Sequence, residues 1–264
     1  MNQKIYQIKQ YVKHLKQAKS KLGHGVHSPF VYNLIEQVFN HDGQYYAFSK
    51  IEQVREQLLK DKTIIEIEDF GAGSTQTKNN KRSIASIANS ALLDIEHSQL
   101  LFRLVNRFQP KNIIELGTSL GTSSAYLASA CKKSQVYTFE GSPEIAKVAK
   151  RNFNHLKIKN IDLTVGEFDK QLATKLESID TVDFAFIDGN HRYKPTVKYF
   201  EMLLEKATPN SVFIFDDIYW SEGMTRAWKE IIARPEVVVS IDIYRMGIIF
   251  FRKENPKQDF IVRF

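Results

Sequence analysis

Cysteine is almost absent from this 264-residue chain, in which Cys131 stands alone. One cysteine cannot form an internal disulfide or a thiolate zinc site, which excludes disulfide-stabilised secreted scaffolds and favours a reducing compartment. The sequence also lacks any run of about 18 apolar residues, so it predicts no transmembrane segment. Charges recur every few residues at the N-terminus, unlike the apolar core of a signal peptide. We therefore expect a cytoplasmic globular protein.

Acidic residues are missing from residues 1–22, which hold six lysines. The whole chain has 37 Lys and Arg against 30 Asp and Glu, a net charge of +7, so the remainder is nearly neutral. Because the charge is not spread along a face, nucleic acid is disfavoured as a partner. Apolar residues recur in this segment at helical spacing, at Ile5, Ile8, Val12, Leu15 and Leu22. This pattern predicts an amphipathic helix with a lysine-rich outer face. Packing on its own domain is the simplest interpretation; an anionic membrane, nucleic acid or a partner protein remain alternatives.

The pattern of apolar residues changes near residue 97. Residues 1–96 read mainly as helices, with one short alternating run from Thr63 to Glu68. From residue 97 onward, strand-like runs and helical patterns alternate through short loops, which predicts a parallel sheet covered by helices. We therefore predict an N-terminal helical cap over 1–96 and an α/β domain over 97–264.

The end of the chain breaks this alternation. Val237–Ile243 and Met246–Arg252 are strand-like runs separated by two residues only, too few for a parallel crossover. The last predicted strand must therefore run antiparallel. The fold class that results is a Rossmann-like, doubly wound sheet, mostly parallel with an antiparallel last strand, plus the N-terminal helical extension.

The dinucleotide-binding pattern G-x-G-x-x-G is also absent. The loop after the strand Asn112–Leu116 contains Gly117, Thr118, Ser119 and Gly121, with Ser119 where a pyrophosphate site needs glycine. This disfavours a nicotinamide-dependent oxidoreductase. S-Adenosylmethionine (SAM) has no phosphate, and its amino-acid end and sulfonium could be held by this tight turn together with Glu115. A turn with no ligand is the structural alternative.

Two later strand ends extend the predicted cofactor site. Glu140 closes the next strand 23 residues after Gly117, where an acid can accept hydrogen bonds from both ribose hydroxyls. Glu167 and Phe168 follow the third strand and could flank adenine, although Phe168 could equally be a core residue.

Carboxylates end the fourth and fifth strands, at Asp188 and at Asp216-Asp217. Carboxyl ends of parallel strands meet at one edge, so these acids should converge. Their mutual repulsion favours a bound cation, and oxygen ligands suit Mg²⁺, Ca²⁺ or Mn²⁺. Helix capping is the alternative role.

Together these strand ends resemble the class I SAM-dependent methyltransferases, in particular the metal-dependent O-methyltransferases of the catechol, caffeoyl-CoA and macrolide-sugar types. The resemblance covers about residues 97–252. It implies that Asp188, Asp216 and Asp217 bind a divalent cation such as Mg²⁺. The catechol enzymes have a lysine general base three residues after the first Asp, where this chain has His191, which can still take a proton near neutrality.

The resemblance thus implies a SAM-dependent O-methyltransferase acting on a small hydroxylated molecule, with Asp188 and His191 as catalytic residues and Asp188 also among the cofactor-binding residues. A metal-independent methyltransferase of the same fold is one alternative. A SAM-binding adaptor that uses its basic N-terminal helix on nucleic acid or membrane is another. A homodimer stays open. Asp69–Gly73 imitates a SAM loop, but no strand ending in an acid follows about 20 residues later, so we expect a turn or lid there.

Overall fold

The structure, a computed structural model, describes residues 3–67 and 80–264. Ten α-helices occur in the described residues, and a π-helical turn, Ile35–Phe39, follows the second. The helices are α1 (Gln3–Gln17), α2 (Pro29–Leu34), α3 (Tyr46–Lys60), α4 (Ile84–Ala91), α5 (Ile95–Phe108), α6 (Thr122–Ala130), α7 (Pro143–His155), α8 (Phe168–Glu177), α9 (Tyr193–Leu204) and α10 (Glu222–Ala233).

The described residues also form ten β-strands, most of them short and apolar. They are β1 (Ile64–Glu66), β2 (Lys81–Ser83), β3 (Asn112–Leu116), β4 (Gln135–Glu140), β5 (Ile161–Val165), β6 (Val182–Ile187), β7 (Ala207–Phe215), β8 (Val239–Asp242), β9 (Gly247–Phe250) and β10 (Gln258–Ile261).

Local signals in the sequence explain where the helices begin and end. The Asp94 carboxylate caps α5 by accepting a hydrogen bond from the His97 backbone N–H at 3.0 Å. The same helix stops at Gln109, which adopts the left-handed conformation just before Pro110. Ser221 caps α10 in the same way as Asp94 caps α5. From residue 97 onward, helices and strands alternate as the sequence predicts.

The chain divides into two compact units. The second unit is continuous, Asp42–Ile179, and the first combines Met1–His41 with Asp180–Phe264. In the second unit β3, β4 and β5 pair in parallel, with Ile113 opposite Val136. Its core includes an aromatic cluster in which Phe48 packs against Phe102 and Tyr126. The predicted domain boundary after residue 96 stays a prediction.

In the first unit the strand order is β6-β7-β9-β8-β10. β6 and β7 are parallel, and β9 runs antiparallel to both of its neighbours, β7 and β8. The α/β class, the mostly parallel strands and the reversed strand of the predicted fold are confirmed. The sequence did not predict β10, which follows the reversed strand and pairs in parallel with β8.

Helix α1 is present as predicted, but its predicted orientation is wrong. The apolar residues expected to face the domain are exposed: 50% for Ile5, 64% for Ile8 and 46% for Val12. Tyr6 and His14 are buried instead. The reason is that polar contacts anchor the opposite face, because the Tyr6 hydroxyl donates to Thr225 Oγ1 at 2.7 Å and His14 Nε2 lies 3.3 Å from the Asp242 carbonyl oxygen.

Two further predictions concern a turn or lid segment and the absence of a transmembrane helix. Asp69–Gly73 lies outside the described residues, so the turn or lid predicted there stays a prediction. Over residues 3–67 and 80–264, no helix combines the length and the apolar character that a bilayer crossing requires.

Candidate active site

The loop between β3 and α6 has an unusual backbone. Gly117, Ser119 and Gly121 have φ angles of 104°, 48° and 85°. A non-glycine residue in the left-handed region is uncommon and costs energy, so Ser119 must be held there by its surroundings. Backbone N–H groups of Gly117 and Thr118 donate to the Phe139 carbonyl at 3.1 and 3.0 Å, which fixes the loop against the end of β4.

Glu140 holds the same loop from the end of β4. Its Oε2 accepts a hydrogen bond from the Ser119 backbone N–H at 2.9 Å, and its Oε1 accepts one from the Ser142 N–H at 2.9 Å. A carboxylate has about four acceptor sites, so these two bonds leave acceptor capacity for other donors. Glu140 is therefore both a support of the loop and an acid suited to paired hydroxyl groups.

Glu115 lies at the end of β3 and is fully buried. Its Oε2 accepts hydrogen bonds from the Ser124 and Thr138 hydroxyls, the latter at 2.6 Å. Burial raises the pKa of this carboxyl to about 7, although hydrogen bonds from Ser124, Thr138 and Ser123 lower it. Thr138 also bonds to the hydroxyl of the buried Thr118 at 2.6 Å. Glu115 and Thr118 thus belong to a polar network beneath the loop.

The loop and the end of β3 also contain buried polar atoms that have no hydrogen-bond partner among the described residues. Glu115 Oε1 and Ser119 Oγ are buried and have no hydrogen-bond partner among those residues. Unsatisfied buried polar atoms are rare in proteins and commonly mark a missing ligand or water. Their chemistry, together with the Glu140 acid and the sharp turn, fits the amino-acid end and ribose of SAM.

Glu167 and Phe168 sit where α8 begins. Glu167 is the residue before the first turn of α8, and its side chain is 53% exposed and lies 3.2 Å from Lys170 Nζ. Phe168 is half-buried. Their placement on the strand-end side of β5 agrees with the sequence, and their contact with adenine stays a prediction.

The first unit contains the predicted acid cluster. Asp188 and Asp216 follow β6 and β7, and their carboxyl groups interact. Burial raises the pKa of Asp188 well above its usual range, and the charges of Asp216 and Asp217 raise it further. Asp217, the residue after Asp216, has a left-handed backbone conformation with a φ of 52°.

A guanidinium occupies this cluster. Arg245 Nε lies 3.2 Å from Asp216 Oδ1, and its second terminal nitrogen lies 3.2 Å from Asp216 Oδ2, a two-point ion pair with a carboxylate that is 1% exposed. Burial lowers the pKa of Arg245, but the charges of Asp216, Asp217 and Asp188 outweigh it and keep the pKa above its ordinary value.

This arrangement does not fit the metal centre that the resemblance implied. Both oxygens of Asp216 already bond to Arg245, whose positive charge would repel a divalent cation at the same place. Across the part of the chain that the structure describes, no group of three or more His, Cys, Asp or Glu side chains is arranged to hold a metal ion.

His191 lies beside the acid cluster as predicted. Its Nε2 is 3.6 Å from Asp188 Oδ1, and its side chain is 23% exposed. The ring also lies 6.1 Å from the ring of Trp220. The two predicted catalytic residues are thus neighbours, and the imidazole is partly exposed.

A pocket of about 290 Å³ opens next to Arg245. Its lining residues are Gln7, Asp217, Tyr219, Trp220, Tyr244 and Arg245. Tyr219 and Tyr244 stack with ring centroids 5.4 Å apart, which gives the pocket an aromatic wall. Trp228, by contrast, is buried and packs against Gly247. The aromatic residues of this region therefore divide into some that line the pocket and one that packs in the core.

Arg245 and Tyr244 are site residues that the sequence analysis missed. Phe215 at the end of β7 pairs with Gly247 at the start of β9. The three residues before Gly247, which include Tyr244 and Arg245, therefore lie near the three after Phe215. The predicted antiparallel hairpin already contained this signal, because it brings its connecting residues to the carboxyl end of the preceding parallel strand.

Comparison with known proteins finds a family model that matches part of this chain. Residues 114–218 match the family model described as "Methyltransferase domain". A catechol O-methyltransferase of Niastella koreensis is 30% identical over 123 residues, which cover 46% of this chain and 53% of that protein. The matches span between 19% and 53% of the length of the first curated relatives.

Solved structures agree on the fold. An O-methyltransferase of Bacillus cereus in complex with SAH matches with a TM-score of 0.57 and 18% identity, over 80% of this chain and 93% of that one. The O-methyltransferase TomG of Streptomyces achromogenes, in complex with SAM, matches with a TM-score of 0.55 and 17% identity, over 84% of this chain and 94% of that one. The recognition of a class I, SAM-dependent methyltransferase domain, similar to O-methyltransferases, is thereby confirmed for residues 114–218.

Proposed function

We propose that the protein transfers the methyl group of SAM to a hydroxyl oxygen of a small molecule, and that Arg245 supplies the positive charge that a divalent cation supplies in the metal-dependent relatives. The observation that carries the first part is the loop after β3, in which Glu140 holds Ser119 in a left-handed conformation. Bound SAM supplies an electrophilic methyl group on a sulfonium, and the protein has to position it and the acceptor.

The roles of the chain's own residues follow from their surroundings. Gly117, Ser119 and Glu115 would hold the amino-acid end of SAM, and Glu140 would accept hydrogen bonds from its ribose hydroxyls. His191 takes the proton that the acceptor hydroxyl loses on methylation. Asp188, 3.6 Å from His191 Nε2, orients the imidazole and stabilises its protonated form.

The names of the relatives support methylation of an oxygen atom in a small molecule. The Niastella koreensis relative is named a catechol O-methyltransferase, and TomG is described as involved in tomaymycin synthesis. The aromatic wall formed by Tyr219 and Tyr244 suits a flat, hydroxylated acceptor. Cytoplasmic location and a homodimer remain expectations from the sequence.

Calorimetry of SAM binding tests the cofactor site. Glu140→Ala should weaken SAM binding at least tenfold, about 1.4 kcal/mol, because it removes the acceptor for the ribose and the support of Ser119. Glu144→Ala is the matched control, because Glu144 is a nearby exposed acid whose partner is Lys147. Unchanged affinity in Glu140→Ala would remove this loop from the cofactor site.

A chelator test examines the role of Arg245. With a catechol as acceptor, we expect turnover in excess chelator to equal turnover in added Mg²⁺, because the charge that offsets the carboxylates is part of the chain. Arg245→Gln should lower turnover while leaving the SAM dissociation constant unchanged. Loss of turnover on chelation, restored by Mg²⁺, would contradict the role given to Arg245 and support the metal-dependent alternative.

A further inference from the structure

Helix α1 is attached to the first unit by one face only. Besides the contacts of Tyr6 and His14, Gln7 Nε2 donates to the Trp220 carbonyl at 3.1 Å, and the Tyr244 hydroxyl donates to the Gln7 carbonyl at 2.9 Å. These residues recur at helical spacing and define the attached side of α1. The other side faces away from the unit.

The outward side carries a stripe of aliphatic side chains, Ile5, Ile8 and Val12, which we name the α1 stripe. The three residues are at positions i, i+3 and i+7, so they form one line along the helix, and their exposure is 50%, 64% and 46%. Exposed single aliphatic residues are ordinary, but a line of them on the solvent side of a helix marks an interaction surface.

Lysines border the α1 stripe on both sides. At 3.6 residues per turn, Lys4 falls at one edge, and Lys9, Lys13 and Lys16 fall at the other. All four are exposed. No acidic residue occurs in residues 1–22. The surface therefore combines an aliphatic centre with a purely cationic border.

We propose that α1 lies in the plane of an anionic lipid bilayer, with the α1 stripe at the level of the acyl chains and the lysines among the headgroups. Interfacial helices have this arrangement of an apolar face and a cationic face. Nucleic acid would engage the lysines but would leave the aliphatic stripe in water. A second copy of this surface would place lysines against lysines, because the border is of one sign.

Vesicle sedimentation of the full chain tests the proposal. We expect binding to vesicles of phosphatidylcholine and phosphatidylglycerol in equal parts, little binding to phosphatidylcholine alone, and weaker binding as salt rises. Ile8→Ser should lower the partition coefficient about tenfold. Lys13→Gln with Lys16→Gln should lower it about 25-fold, as expected for about 1 kcal/mol per lysine near the surface.

Matched variants elsewhere control for general effects of charge and hydrophobicity. Ile64, on β1, is 66% exposed, and Lys150 and Lys159 are exposed lysines of the second unit. Ile64→Ser and Lys150→Gln with Lys159→Gln should leave vesicle binding unchanged. All these sites are exposed, so circular dichroism should show every variant folded. Absence of binding to the mixed vesicles, or an equal loss in the control variants, would overturn the proposal.

Discussion

At the residue scale, Glu115 makes the free energy of unfolding depend on pH. Its carboxyl is fully buried beneath the loop after β3, and burial raises its pKa to about 7, from 4.5 in the unfolded chain. Between these two pH values the folded state keeps a proton that the unfolded state has lost. Rising pH therefore lowers the free energy of unfolding, by about 3 kcal/mol across the window for this group.

Glu115→Gln should remove this dependence, because the amide stays neutral and can still bond to the hydroxyls of Ser124 and Thr138. We expect the variant to be more stable than the parent at pH 8 and to lose that advantage as pH falls to 5. Urea unfolding at several pH values measures the difference. Glu144→Gln, at an exposed acid, is the control. Parallel stability curves for Glu115→Gln and the parent would contradict the raised pKa.

At the element scale, the start of α6 depends on a glycine. Gly121 has a φ of 85°, and a Cβ built on it would lie 2.6 Å from Cε1 of Phe153. Gly121→Ala therefore combines left-handed backbone strain with a steric clash, and we expect it to lower the free energy of unfolding by about 2–4 kcal/mol. Thermal or urea unfolding measures this change.

Gly223 in α10 provides the comparison for that prediction. Its φ is not in the left-handed region, and the nearest atom to a Cβ there is Ser221 Oγ at 3.5 Å. Gly223→Ala should be neutral or stabilise by up to about 1 kcal/mol, because alanine is the better helix former. Equal effects of the two substitutions would show that neither space nor backbone conformation at Gly121 matters.

Elements of the α/β region could be predicted closely because their signals are local. The runs Asn112–Leu116 and Gln135–Glu140 match their strands residue for residue, since each is an apolar run bounded by turn residues. The predicted carboxylates Asp188 and Asp216 also meet, because strand ends of a parallel sheet share one edge. Pairing across long separations was harder: the contact of Arg245 with Asp216 joins residues 29 apart, and the hairpin pattern alone does not say which strand end the hairpin reaches.

Helix α1 shows the limit of periodicity most plainly. Its pattern identified the helix, yet the apolar side is the exposed one, because hydrogen bonds from Tyr6 and Gln7 set the orientation. Periodicity reports that a helix has two faces and does not report which face packs. Strand β10 was missed for another reason: its sequence Gln258–Ile261 is short and partly polar, so it carries a weak strand signal.

At the scale of the whole molecule, most of the residues proposed to bind SAM belong to one compact unit and the N-terminal segment belongs to the other. The residues assigned to SAM between Glu115 and Phe168 lie in the second unit, whereas α1 is attached within the first. Deleting residues 1–22 should therefore leave the SAM dissociation constant within about twofold of the parent value while lowering the melting temperature by several degrees. Calorimetry and thermal unfolding measure the two effects. A tenfold loss of SAM affinity in the folded truncation would contradict this separation.

The bridge between Lys19 and Val262 has a consequence for biosynthesis. Lys19 N–H donates to the Ile261 carbonyl at 2.7 Å, and Arg263 N–H donates to the Lys19 carbonyl at 3.1 Å. A ribosome delivers Lys19 more than two hundred residues before its partners. The second unit can fold while the chain is still growing, but the N-terminal segment must wait for strand β10. Newly made chains therefore expose α1 and its lysines to chaperones and to membranes before the first unit is complete.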